Sequence, residues 1–241
     1  MTARAARRSP AILAGALLAF AAIFVALGVW QVERLTWKHA LIATVEARTS
    51  AAPVAAPGPG TWAGINAMDD AYRHVRVRGQ FDYDRETLVR AVSDLGSGYW
   101  VLTPLDTGAF TVLVNRGFIA QSARDAQRPE VRGPVTITGL LRITEPGGGF
   151  LHANDPQAGN WYSRDVAAIA HSSGLSRAAP YFIDADAARN APGEPVGGLT
   201  VVRFADNHAV YALTWFAMAL LCLGGAWHIA GETRRPLRAM A

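Results

Sequence analysis

The sequence predicts an α+β protein: two transmembrane helices flanking a β-rich, barrel-like extracytoplasmic domain. Two observations carry this. The first is a pair of long uncharged stretches, residues 11–30 and 209–230, near the two ends of the 241-residue chain. The second is a change of period between them, where apolar and polar residues alternate in short runs broken by Gly and Pro.

Residues 11–30 hold no charge, and in 209–230 only His228 can carry one. About twenty apolar residues, rising roughly 1.5 Å each, cross the roughly 30 Å hydrocarbon core of a bilayer. Arg4, Arg7 and Arg8 precede the first stretch, and Arg234, Arg235 and Arg238 follow the second. Basic residues beside a span stay on the cytoplasmic side, so both termini are expected in the cytoplasm and the middle outside it. A cleaved secretion signal fits less well, because its apolar region runs only about 7–15 residues. The basic leader is short for a mitochondrial transit peptide, so a bacterial inner (cell) membrane is the expected location. The expected segments are a cytoplasmic tail at 1–10, a span at 11–30, a periplasmic β-rich domain at 31–208, a second span at 209–230 and a cytoplasmic tail at 231–241.

The net charge of +4 does not indicate nucleic acid. Six of the 23 basic residues sit in the two tails beside one acid, Glu232, which leaves 17 basic against 18 acidic residues elsewhere. The basic excess sorts topology and is not a binding footprint. The single cysteine, Cys222, lies in the second span. The outer domain therefore has no disulfide, thiol nucleophile or Cys-rich metal site, and it is long enough to form one core without them.

The elements follow in order. Trp30, Arg34, Trp37 and Leu41 share one helical stripe, so the first helix is expected to run past its span. Residues 49–60, rich in Pro, Ala and Gly, read as a loop. Val75 and Val77 alternate with Arg76 and Arg78 up to Gly79, as in a half-buried strand. Residues 99–102, 110–115, 135–143, 180–184 and 200–204 read as further strands. Residues 165–171 read as a short helix capped by Ser163 or Asp165. Gly147 to Gly149 read as a turn.

No G-x-S-x-G, H-E-x-x-H or phosphate-binding Gly loop occurs, so no enzyme is expected. Three features remain. At the outer end of the first span, Trp30 suits an interfacial anchor, while Arg34 and Lys38 stand on the side where basic residues are scarce. They either snorkel or pair with Glu33, or they meet an anionic group at the interface. At the mouth of the second span, His208, Tyr211, Ala212 and Trp215 share a helical face. Ionisable groups at membrane depth are costly; this one is either an anchor or a neutral imidazole able to ligate a haem iron beside rings that stack on a macrocycle. The third feature is a set of polar-aromatic blocks, Asn115 to Ile119 and Asn154 to Asp165. They read as turns and packing corners, with Arg116 bonded to a buried carboxylate or carbonyl.

These residues resemble the Surfeit locus protein 1 family, assembly factors of cytochrome c oxidase. The blocks that carry the likeness are Leu27-Gly28-x-Trp30-Gln31-x-x-Arg34-x-x-Trp37-Lys38 and Gly98-Tyr99-x-Val101-x-Thr103-Pro104-Leu105. Next come Asn115-Arg116-Gly117-Phe118-Ile119 and Asn154-x-Pro156-x-x-x-Asn160-Trp161-Tyr162-x-x-Asp165. The last are Gly197-Gly198-x-Thr200 and Asn207-His208-x-x-Tyr211-Ala212-x-Thr214-Trp215. Two positions depart from the pattern: Ala120 stands where the family often has Pro, and Asp206 where it often has Asn.

The resemblance implies a non-enzymatic chaperone of respiratory chain biogenesis that binds haem a as transient cargo and hands it to oxidase subunit I, with haem a synthase as a possible neighbour. It implies His208 as the axial ligand, with Tyr211 and Trp215 walling the ring. Arg34, Lys38 and Arg203 are then candidates to pair with the propionates. The rival expectation is a haem-independent scaffold that holds an oxidase assembly intermediate, with its working surface around Arg116 and Trp161. A hydrolase is the third, and the missing motifs count against it.

Overall fold

The computed structural model describes residues 8–149, 151–187, 193–199 and 207–234. The chain forms helix α1 (Arg8–Ser50), strand β1 (Val54–Ala55), helix α2 (Ala67–Asp70), strands β2 (His74–Phe81), β3 (Thr87–Ser93), β4 (Gly96–Asp106), β5 (Thr111–Ala120) and β6 (Val135–Ile143), helix α3 (Val166–Ser172), strand β7 (Ala178–Ala185) and helix α4 (His208–Arg234). It divides into two compact units: residues 1–44 with 203–241, and residues 45–202.

The first unit is a helix pair, and both helices are long and apolar enough to cross a membrane. As expected, α1 runs far past the uncharged stretch; its 43 residues make it about 65 Å long. Its least exposed positions recur every three or four residues: Ala14, Leu17, Ala21, Phe24, Gly28 and Gln31. The matching row on α4 is His208, Ala212, Trp215, Ala219, Cys222 and Ala226. This is a coiled-coil-like seam in which half of these positions are Ala or Gly, the residues that let membrane helices approach closely. A Cβ at Gly28 would lie 2.6 Å from the Phe216 ring, and one at Gly225 3.2 Å from Leu17. These pairings make the helices antiparallel. Leu13, Leu18, Phe20 and Ile23 on α1, and Leu213, Leu220 and Leu221 on α4, are exposed, as suits surfaces that lipid covers.

The second unit is a closed barrel. The strands follow the order β2-β6-β7-β5-β4, and a second pairing of β2 with β4 (Gln80↔Asp106, Phe81↔Leu105) closes the ring. β1 and β3 extend it at the two sides. The closure needs a glycine, since a Cβ at Gly79 would strike the Asp106 carbonyl. Alternation places Val75, Val77, Leu105, Val112, Val114, Leu141, Tyr181 and Ile183 inside. β5 and β7 pair in parallel, and their outer face is buried too. There Leu113 and Phe182 pack with Trp161 and with Val166 and Ile169 of α3. Burial on both faces explains the unbroken apolar run in each strand.

Asp165 is the cap of α3; its carboxylate accepts the Ala168 N–H at 3.1 Å. The stretch read as a loop at 49–60 also holds the end of α1, strand β1 and the start of a 3-10 turn at Pro59–Gly64. That turn carries Trp62 onto Phe110, edge to face at 5.7 Å. The Pro57 carbonyl accepts both the Trp62 indole N–H (3.1 Å) and the Tyr181 hydroxyl (2.7 Å). The expected strand at 200–204 lies outside the described residues.

Candidate functional site

α4 starts at His208, and the Asn207 carbonyl accepts the Tyr211 N–H in its first turn. The imidazole is half-buried and aimed at α1. Its Nδ1 lies 2.7 Å from Oε1 of Gln31, whose side chain is buried in the seam. An amide oxygen only accepts, so Nδ1 carries the hydrogen, and in a neutral ring Nε2 then carries the lone pair. The sequence offered Gln31 only as part of a motif. It follows the anchor Trp30 and has no charge to mark it, and its partner lies 177 residues away.

The face expected to hold His208, Tyr211, Ala212 and Trp215 divides. Ala212 is buried, Trp215 is half-buried and Tyr211 is exposed. Trp215 stacks on Phe24 with ring centroids 5.7 Å apart, and Phe24 in turn on Phe20. Arg34 lies over the Trp37 ring at 4.1 Å, an exposed cation–aromatic pair. Lys38 is half-buried on α1. Arg203 lies outside the described residues. Among the described residues no three His, Cys, Asp or Glu side chains converge as a metal cage would need. A haem iron asks for one imidazole, and the donor at His208 fits that demand.

The polar groups of the barrel hold one another. Glu86 accepts from Arg116 (3.3 Å), Arg128 (2.9 Å) and the Thr103 hydroxyl (3.1 Å), while Arg116 also reaches the Pro129 carbonyl. Arg116 thus has both partners the sequence suggested, a carboxylate and a carbonyl. Asp184, 4% exposed, accepts from Arg142 (2.7 Å) and Asn115 (2.8 Å) and meets Arg164 at 3.4 Å. Burial opposes the charge on Arg164, but its hydrogen bonds to Glu145 and the charges of Asp184 and Glu145 outweigh this and raise its pKa. Burial pushes the Tyr181 hydroxyl up, against a smaller lowering by Arg73. Both groups keep their ordinary protonation and serve as braces. Asn154 fastens the third feature, accepting the Tyr162 and Ser163 N–H groups at 2.8 and 3.2 Å.

A closed barrel flanked in sequence by two membrane-length helices, with one imidazole fixed at the end of the helix seam, defines a membrane-anchored protein whose polar barrel residues brace the fold. The profile of the SURF1 family matches residues 18–220, a range that takes in Gln31, Asp184 and His208. Surfeit locus protein 1 of Mus musculus is 37% identical over 238 residues, covering 90% of this chain and 75% of that protein. Surfeit locus protein 1 of Homo sapiens is 36% identical over 215 residues, covering 80% and 69%. A SURF1-like protein of Monosiga brevicollis is 34% identical over 227 residues, covering 86% and 84%. The chain belongs to the SURF1 family.

Proposed function

We propose that this protein is a cytochrome c oxidase assembly factor that holds haem a through His208 and passes it to oxidase subunit I. The observation that carries this reading is the 2.7 Å bond from His208 Nδ1 to Gln31. It selects the tautomer whose Nε2 can ligate iron, and it orients the ring from the neighbouring helix. Haem a supplies the iron and a long apolar tail that suits lipid-like surroundings. A single protein ligand favours release, which a carrier requires. Trp215, stacked on Phe24, is a rigid wall for a flat ring. Tyr211, Arg34, Lys38 and Arg203 are the further candidates around it, the three basic ones for the propionates. The orientation proposed is both termini in the cytoplasm of a bacterium and the barrel in the periplasm, supported by the arginines that flank the spans.

The test is the absorption spectrum of the protein purified from cells with and without haem a synthesis. The wild type should show a haem band only with synthesis, and His208→Ala should lose it. Gln31→Leu cannot accept from Nδ1 and should bind about 10- to 100-fold more weakly. A wild-type protein that stays colourless while still co-purifying with an oxidase subunit would replace this reading with the haem-independent scaffold. Equal haem uptake by His208→Ala would reduce that residue to an anchor.

A further inference from the structure

A row of aromatic rings and arginines crosses one face of the barrel. His152 stacks on Tyr162 with centroids 4.9 Å apart. Arg90 lies 5.5 Å from the Tyr162 ring and 5.9 Å from that of Tyr99, and Arg124 lies 5.5 Å from Tyr99. Arg90, Val92, Tyr99 and Gln121 line a cleft of about 330 Å³. Arg116, Arg128, Arg142 and Arg164 of the barrel are spent on carboxylates. Arg90 and Arg124 are exposed, and among the described residues no carboxylate pairs with either.

Large apolar side chains border the same row. Val92 is 82% exposed, Leu151, next to His152, is 79% exposed, and Leu95 is exposed at the tip of the β3–β4 turn. A soluble surface leaves single apolar residues uncovered without consequence. Here several adjoin a strip of Tyr and Arg, the residue types enriched where protein interfaces are strongest. The rings hold the guanidinium groups in place, so less side-chain freedom is lost when a carboxylate arrives.

We propose that this strip is a docking surface for an acidic, partly apolar segment of a partner protein, with its carboxylates on Arg90 and Arg124 and its apolar side chains over Val92 and Leu151. The charge of the strip selects the partner's sign. A protein segment is the occupant chosen over an anionic bilayer because Tyr99 and Tyr162 alternate with the arginines beside exposed Val92 and Leu151, the residue types of protein interfaces.

The experiment places a photo-crosslinking benzoylphenylalanine at Val92, and separately at Leu151, in the full-length protein in its own membrane. The crosslinked peptide is then identified by mass spectrometry. The expected product is an acidic segment of another protein. The double variant Arg90→Glu, Arg124→Glu should lower the yield by about tenfold or more, and Lys in place of the mapped acids should restore it. Thermal unfolding should be little changed in the double variant, because both side chains are exposed and, among the described residues, make only ring contacts. The proposal is overturned by crosslinks to lipid alone, by a mapped segment without acids, by a yield that ignores the charge reversal, or by no product from either position.

Discussion

Asp184→Ala should destabilise the barrel by about 3 kcal/mol, and the neighbouring charges set that figure. Removing one partner of a buried ion pair costs about 3–5 kcal/mol, because the other charge stays behind uncompensated. Among the described residues Asp184 has two arginine partners, and one of them, Arg142, loses its main counter-charge. Arg164 keeps its two hydrogen bonds to Glu145. Of carboxylates Arg142 keeps a 3.8 Å approach to Glu145, which is 39% exposed and screened by water, beside its place over the Tyr72 ring at 4.8 Å. Arg142 retains some solvent access, which places the cost at the low end of the range. Asn115 also loses its acceptor, although its own Oδ1 still holds the Gly117 N–H. A loss of about 3 kcal/mol lowers the melting temperature of a domain this size by roughly 6–12 °C. The assay is thermal unfolding of the full chain in detergent, followed by near-ultraviolet circular dichroism of the barrel tryptophans. Glu145→Ala is the control and should cost about 1 kcal/mol or less. If the two variants melted together, or Asp184→Ala melted with the wild type, the account of Asp184 as the buried counter-charge of Arg142 would be wrong.

Two further outcomes follow from the same contacts. His74 donates from Nδ1 to the Ala51 carbonyl at 2.9 Å and from Nε2 to Asp186 at 2.8 Å. Burial lowers its pKa, but the bonds to Asp186 and Ala51 and the Asp186 charge outweigh this, and the net shift is upward. A raised folded-state pKa gives stability that is full below the unfolded value of about 6.5 and fades as pH rises through the folded one. The stability gap between wild type and Asp186→Asn should therefore be widest below about pH 6.5 and close toward alkaline pH; a gap that widened there would reverse the assignment. Gly28→Val should force α1 and α4 apart, since even a Cβ would lie 2.6 Å from Phe216. Oxidative crosslinking between cysteines at Leu17 and Gly225 reads this directly, and an unchanged yield would mean the seam tolerates the bulk.

Much of the architecture was legible because single physical rules dominate it. The two helices follow from uncharged length alone. β2 is visible because Val75 and Val77 turn inward while Arg76 and Arg78 turn out. β3 was missed, because Arg90 and the residues toward its turn face outward and interrupt the apolar signal. β4 runs to Asp106, through Pro104, where a sequence reading stops. The chain continues because the Pro104 carbonyl still accepts, here from the Asp82 N–H at 2.9 Å. A barrel-like domain was expected, but the pairing that closes it was not placed, since it depends on Gly79 meeting Asp106 on β4. At the site, His208 could be picked out as an ionisable group at a span's mouth. Gln31 could not be given a role, and the exposure of Tyr211 depends on how α4 is rotated against α1, which helical spacing alone leaves open.

The helix seam connects packing to the proposed chemistry. Small residues at Ala21, Gly28, Ala212 and Ala219 bring the backbones close. Only at that spacing can the short amide of Gln31 reach the His208 ring. The bond itself contributes little to holding the helices, since polar contacts inside membranes average about 0.6 kcal/mol and rarely exceed about 2. Its value is directional: it fixes which imidazole nitrogen bears the hydrogen and where the other one points. Gly28 stands three residues, nearly one turn, from Gln31. A residue with no functional group of its own therefore sets the geometry of the one imidazole on which the haem reading depends.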